Sequence, residues 1–329
     1  MTNLRAVGIA GTGMFVPPRV VDNHWFERNL DTSDEWIVQR TGIKERRFAG
    51  EGESTSTMSE AAAIQACEAA GVDPKDLDAI IVGTLTPDYP LPSTACLLQG
   101  RLGAKKAIAF DVQAACTGFL YGTHVGESLV ASGRADKVLV IGAETLSRVI
   151  DFEDRTSCIL FGDAAGAAVL RPFDACKRMR IVRSELGADG TAYDNIIISG
   201  GGSLMPQSQR VLEERAQYIK LKGRDVFRFA VGIMSELIER MVEGIPLDQV
   251  ALVVPHQVNK RIIDAAVERI DIPPERVVVN IDRYANTSAA TVPVALHEAV
   301  TSGRIEPGQY IVMVAFGAGM TWGASLVQW

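Results

Sequence analysis

The sequence is poor in several things that would otherwise direct its interpretation. No apolar run approaches the length of a membrane span, and the N-terminal MTNLRAVGIAGTGMFVP lacks the long apolar core and cleavage site of a secretory signal. The five cysteines, at 67, 96, 116, 158 and 176, show neither pairing spacings nor a CxxC arrangement, so a disulfide framework is not expected and a reducing compartment, the cytoplasm, is. Positive charge is in deficit, with a net charge of −7, which argues against a nucleic-acid or anionic-membrane surface as the main business. Histidine is scarce: only residues 24, 124, 256 and 297.

What remains is a long soluble chain. At 329 residues, with 47% hydrophobic and 22% charged residues, it is large enough for two domains or one large α/β unit. Val7–Ala10 reads as a strand running into Gly11-Thr12-Gly13. The GxxGxG spacing suggests a phosphate loop, but Pro17-Pro18 follows where a helix should begin, so a strand turning a corner is expected. Asp31-Thr32-Ser33 caps a short helix. Ser59–Ala70 is an Ala-rich helix stopped by Gly71, Leu77–Gly83 a buried strand, and Ser93–Leu102 a helix. Residues 174–220 pattern weakly and read as strands plus a mobile loop.

The central stretch is FDVQAACTGFLY, Phe110–Tyr121. An apolar strand, Ala107–Val112, ends here, small residues lead to Cys116, and helical spacing follows from Gly118. A cysteine so placed sits near a helix N-terminus, whose partial positive charge favours thiolate, so Cys116 is a candidate nucleophile; a small buried hydrophobe is the ordinary alternative.

The chain also repeats itself. GVDPKDLDAIIVGTLTP (71–87) resembles GIPLDQVALVVPHQ (244–257), and SGRADKVLVIGAE (132–144) resembles SGRIEPGQYIVMVAFGAG (302–319). The shift of 170 positions that carries Ser132 to Ser302 carries Cys116 to Asn286, again between a strand end and a helix. So long a period excludes a solenoid and implies two copies of one βα-rich unit, divided here as 1–173 and 174–329. Cys116, His256 and Asn286 then stand at C-terminal strand ends, where α/β sheets collect ligands, and a pseudo-twofold would bring them to one pocket. A cysteine with His and Asn suits amide hydrolysis or acyl transfer from a thioester. Papain-like proteases use the same residue types on another framework, and the duplicated α/β chain favours acyl transfer. Small residues in VAFGAGMTWGASL let backbone N–H groups approach a ligand and hold an oxyanion.

Six segments, TSDEWIVQRTGIKERR, DVQAACTGF, DRTSCILFGDAAGAAVL, VPHQVNKRII, YANTSAATVP and FGAGMTWGASL, together resemble the beta-ketoacyl-acyl carrier protein synthase III condensing enzymes of bacterial fatty-acid synthesis. The resemblance covers essentially the whole chain. It implies an α/β thiolase-like fold, five αβαβα layers in two pseudo-twofold halves, and a homodimer. It makes Cys116 the nucleophile that takes an acyl group from a short acyl-CoA such as acetyl-CoA. Malonyl-acyl carrier protein then loses CO₂ and its carbanion attacks, with His256 and Asn286 hydrogen-bonding the malonyl thioester oxygen. The backbone N–H groups of Cys116 and Ala318 hold the other oxyanion, and no metal or redox cofactor is needed. The implied CoA site comprises Trp36, Arg40, Thr41, Arg155, Gly223, Asn259 and Phe316. Lys222, Arg224, Arg228, Lys260 and Arg261 offer positive charge to the acidic carrier protein, while Glu268 stands where some relatives are basic. Leu91 matches a position, often Phe, that reaches across the dimer into the partner's acyl pocket. The alternatives are a relative serving secondary metabolism with another primer or acceptor, a non-catalytic dimeric binding module, and, on the early GxxGxG alone, a dinucleotide enzyme.

Overall fold

Runs of β-branched and small residues pair into one nine-stranded sheet in the computed structural model, which describes residues 4–329. In chain order the strands are β1 (Val7–Phe15), β2 (Ala79–Gly83), β3 (Ile108–Val112), β4 (Val138–Glu144), β5 (Ala164–Pro172), β6 (Arg180–Ala188), β7 (Val250–Pro255), β8 (Tyr310–Gly317) and β9 (Thr321–Gln328). Their order across the sheet is β7-β8-β9-β6-β1-β5-β4-β2-β3.

The seam between β6 and β1 is one residue pair, Gly8 with Arg180. On one side of it β2 runs parallel to β3 and β4, and β5 runs antiparallel to β4 and β1. On the other, β7 is parallel to β8, and β9 is antiparallel to β8 and β6. Val277 bridges Val253 in parallel at the edge that β3 occupies in the first set. Both sets therefore share one order and one pattern of directions, the second with its outer strand reduced to a single bridge.

The longer helices are α1 (Asp34–Thr41), which packs on α6, and α2 (Thr55–Ala70), α3 (Thr94–Leu102), α4 (Gly118–Ala131), α5 (Gly223–Val242), α6 (Lys260–Val267) and α7 (Thr291–Thr301), which cover the strands. Helices α4 and α7 touch strands of both sets and form the middle layer. The outer faces carry α2 with α3 and α5 with α6. This is the five-layered αβαβα arrangement.

Strand periodicity explains why β2 is apolar throughout. Ala79 and Ile81 face the middle layer with Phe119, while Ile80 and Val82 face α2 and α3 with Leu98. Each fully buried Ile contributes roughly 1.5–3 kcal/mol over an exposed one.

The early glycines serve packing. A Cβ on Gly11 would meet the Ala66 carbonyl oxygen at 2.5 Å, and one on Gly13 the Ala62 oxygen at 2.3 Å, so α2 lies directly on β1. The strand continues through the glycines to Phe15 and is followed by a short strand, Val20–Asp22, rather than directly by a helix, which removes the phosphate loop. Helix α2 starts ahead of Ser59 because Ser54 caps it and bonds Thr57 in both directions, and it stops at Gly71, whose φ is +63°. From 174 to 221 lie β6, a short helix Gln209–Glu213, and a two-strand ladder of Ile196–Ile197 with Lys220–Leu221. Among the described residues no helix is long and apolar enough to cross a membrane.

Candidate active site

From β3 the chain reaches Cys116 through one tight turn. Ala115 takes a φ of +46°, and Ala115–Thr117 form a single 3-10 turn that leads into α4. The same device recurs 170 residues on, where Ala285, immediately before Asn286, has a φ of +58°. An alanine in this region costs energy that the surrounding packing must hold, and both strained turns serve residues at the site. Gly317 has a matching reason: a Cβ there would meet the Cys116 backbone nitrogen at 2.8 Å.

The helix-end position of Cys116 does not make it a resting thiolate. Burial pushes the thiol up to about 12; the Ser288 side chain pulls it down, and the charge of Glu144 pushes it further up. Withdrawal from water thus acts against the partial positive charge of the helix end. Cys116 therefore rests as a thiol.

His256 follows the last residue of β7, and its backbone N–H bonds the Val314 oxygen at 2.7 Å, which ties it to β8. The imidazole is buried, edge-on to Phe316 with centroids 5.6 Å apart. Its Nδ1 lies 2.6 Å from Thr291 Oγ1, whereas Nε2 is buried with no partner. Burial drives the ring down to about 3, so it is neutral. Asn286 is clamped by its backbone: its N–H donates to the Leu160 oxygen and its oxygen accepts from Gly162 N–H, both at 3.0 Å. Its Oδ1 accepts from Ser288 N–H at 2.8 Å, which leaves the amide N–H donors for the cavity.

Cys116, His256 and Asn286 line one cavity of about 490 Å³, together with Ser288, Phe316, Gly317 and Ala318. Its other walls are largely aliphatic, including Leu85, Leu146, Leu160, Ile196–Ile198, Ile219 and Leu221, so the ladder in the weakly patterned stretch builds part of the pocket. A buried imidazole with a bare nitrogen, a free amide and a thiol in an apolar chamber suit a reaction that generates an enolate beside a thioester.

Of the other expected residues, Gly223, Asn259 and Phe316 line the same cavity. Asn259 Oδ1 caps α6 and its Nδ2 donates to the Arg40 oxygen. Trp36 lies outside the lining residues, with the guanidinium carbons of Arg40 and Arg155 at 5.4 and 5.9 Å from its ring. The Thr41 hydroxyl is buried, donates to the Ile37 oxygen and accepts from Ile43 N–H, so its proton is used within the fold. Lys222 is paired with Asp194 and Lys260 with Asp264, each at 2.6 Å, while Arg224, Arg228 and Arg261 have no ion pair among the described residues. Leu91 is 86% exposed and belongs to no wall of its own chain's cavity. Sequence reading missed Ser288, Thr291 and Glu144. Ser288 and Thr291 lie in the YANTSAATVP segment, and Glu144 ends the repeated SGRADKVLVIGAE.

Comparison with known proteins agrees with this geometry. Residues 110–190 and 242–329 match the family descriptions 3-oxoacyl-[acyl-carrier-protein] synthase III and its C-terminal part. Beta-ketoacyl-[acyl-carrier-protein] synthase III of Symbiobacterium thermophilum is 48% identical over 99% of both chains. The crystal structure of 3-oxoacyl-[acyl-carrier-protein] synthase III from Aquifex aeolicus shares 44% identity, covers 98% of this chain and 100% of its own, and superimposes with a TM-score of 0.89. A priming beta-ketosynthase of a polyketide pathway, 34% identical, covers 100% of this chain and 98% of its own at a TM-score of 0.91. The chain belongs to the beta-ketoacyl-acyl carrier protein synthase III family of thiolase-fold condensing acyltransferases.

Proposed function

We propose that this protein joins a short acyl-CoA, acetyl-CoA first, to malonyl-acyl carrier protein with loss of CO₂, and so starts type II fatty-acid synthesis. The observation that carries the reading is the shared cavity of Cys116, the unpartnered His256 Nε2 and Asn286.

The acyl group moves from CoA to Cys116. Malonyl thioester then enters, and CO₂ leaves as negative charge develops on the thioester oxygen. Asn286 N–H stabilises that oxygen together with His256 Nε2–H, the tautomer present when Thr291 donates to Nδ1. The carbanion attacks the acyl carbon on Cys116. Backbone N–H groups of Cys116 and Ala318 hold the resulting oxyanion, and the sulfur leaves. Decarboxylation drives the condensation, and the reading assigns no metal or redox cofactor to it.

CoA is assigned to Trp36, flanked by Arg40 and Arg155, and to the mouth residues Gly223, Asn259 and Phe316. The carrier protein is assigned to Arg224, Arg228 and Arg261, with Lys222 and Lys260 weaker because each already has a carboxylate. A homodimer across β3 is supported by the strand's open outer edge, where Ile108 is 53% exposed, and by the protruding Leu91 nearby in the chain. We place the protein in the cytoplasm and divide its halves at 173/174, between β5 and β6.

Intact-mass measurement after incubation with a panel of acyl-CoAs tests the reading. One acyl group should appear on Cys116 and be absent from Cys116→Ala; no adduct from any member of the panel would refute it. The preferred acyl chain also separates fatty-acid priming from a polyketide-type role.

A further inference from the structure

Deeper than the three side chains lies a carboxylate without a cation. Glu144, the last residue of β4, is fully buried opposite Ala164 of β5. Its Oε2 accepts from Thr86 Oγ1 at 2.6 Å and from Thr84 Oγ1, Leu85 N–H and Thr86 N–H, each at 3.1 Å. Its Oε1 accepts from Ser288 Oγ at 3.1 Å. All of these donors are neutral. The titratable side chain that bears on it is Cys116, whose thiol Glu144 pushes up and the Ser288 side chain pulls down, and Ser288, which donates to Glu144, lines the Cys116 cavity.

We propose that Glu144, acting through the Ser288 hydroxyl, takes up the Cys116 proton as the acyl group arrives. This deepens the reading of Cys116 as nucleophile and rests on it. The S–H bond breaks as sulfur bonds the acyl carbon; the thiol proton passes to Ser288 Oγ, and the Ser288 proton to Glu144 Oε1. CoA departs as thiolate with the electron pair of the broken C–S bond. The proton returns along the same path to that thiolate, which gives free CoA thiol and restores the carboxylate.

Two neighbouring acids, Glu144 buried and Cys116 partly buried, here share one charge. A thiolate formed beside a charged Glu144 would put two anions in a largely apolar chamber, whereas moving the proton between them keeps only one. Burial holds the Glu144 carboxyl at about 7 and His256 at about 3, so Glu144 is the better proton holder near neutrality. His256 is then left to serve the thioester oxygen.

The test is the rate of Cys116 acylation, followed by rapid quench and mass across acid to neutral pH, with CO₂ release from malonyl-acyl carrier protein measured separately. In the wild type, acylation should rise through a limb near pH 7 as Glu144 ionises. Ser288→Ala should acylate roughly 10²-fold more slowly, lose the limb and retain CO₂ release. Ser288→Gly removes the same hydroxyl and suits the φ of +49° at this position, so it replaces the alanine variant if that fails to fold. Glu144→Asp should acylate more slowly than wild type but keep a limb. Equal loss of acylation and CO₂ release, or a limb that survives without the hydroxyl, would overturn the proposal. An adduct that forms at the wild-type rate in Ser288→Ala sinks this proposal alone; no adduct in the wild type sinks the nucleophile as well.

Discussion

His256 Nδ1 and Thr291 Oγ1 lie 2.6 Å apart, and this contact governs what the opposite ring nitrogen can do. The Thr291 hydroxyl has one proton and two acceptors, His256 Nδ1 and the Ser288 carbonyl oxygen at 2.9 Å. When the proton goes to Ser288, Nδ1 must donate and Nε2 is a bare acceptor; when it goes to Nδ1, Nε2 carries hydrogen and donates. Thr291→Val removes both options and leaves His256 Nδ1 buried and unpaired, while the Ser288 oxygen keeps the backbone N–H of residue 291. It should cost about 1–3 kcal/mol of stability and lower condensation turnover at least tenfold, with Thr291→Ser close to wild type. Urea unfolding and steady-state turnover check this, and wild-type turnover in Thr291→Val would contradict it.

The buried imidazole has a consequence for stability against pH. Its folded pKa of about 3 lies below the ordinary value of 6.5. As pH falls below 6.5 the unfolded chain takes up a proton that the folded chain refuses. Stability therefore drops by up to about 1.4 kcal/mol for each pH unit in that window. His256→Gln lacks this dependence and should gain on the wild type as pH falls. Glu144 acts with the opposite sign, because its raised pKa gives stability that is lost as pH climbs through about 7. It is present in both proteins and cancels in the comparison. Parallel slopes of unfolding free energy against pH would refute the assignment.

Gly13→Ala tests the contact between β1 and α2. The added Cβ would lie 2.3 Å from the Ala62 carbonyl oxygen, a backbone atom that cannot rotate away. The cost should be about 3 kcal/mol or more, visible as a large fall in Tm. Loss of nucleotide binding without loss of Tm would instead revive the phosphate-loop reading.

Arg261 is exposed and has no ion pair among the described residues. If it meets an acidic carrier, Arg261→Glu should raise KM for malonyl-acyl carrier protein by roughly fivefold, about 1 kcal/mol, and leave KM for acyl-CoA unchanged. Equal effects on both substrates would remove it from the carrier surface.

Cys116 and Asn286 were legible because the shift that aligns Ser132 with Ser302 aligns them too, although the strand end expected before Asn286 is a short helix, Ile281–Tyr284, since the outer strand of the second set is reduced to the Val277 bridge. Turn chemistry was legible at Gly71 and Ser93, where local backbone needs choose the residue. Glu144 was not. Its function depends on a hydroxyl 144 positions away, and nothing in IGAE says which atoms will face it. The protonation of Cys116 was misread for a related reason, since a helix end can be seen in a sequence whereas withdrawal from water cannot.

Strand and helix spacing, the doubled pattern and the identity of the reactive side chains follow from the order of residues alone, because they depend on period and local backbone preference. The protonation state of each group, the inward turn of Thr41 and the bridge from Cys116 through Ser288 to Glu144 were decided only when distant segments packed. Burial and hydrogen-bond partners are properties of the folded interior, and they set the charge on every group in it.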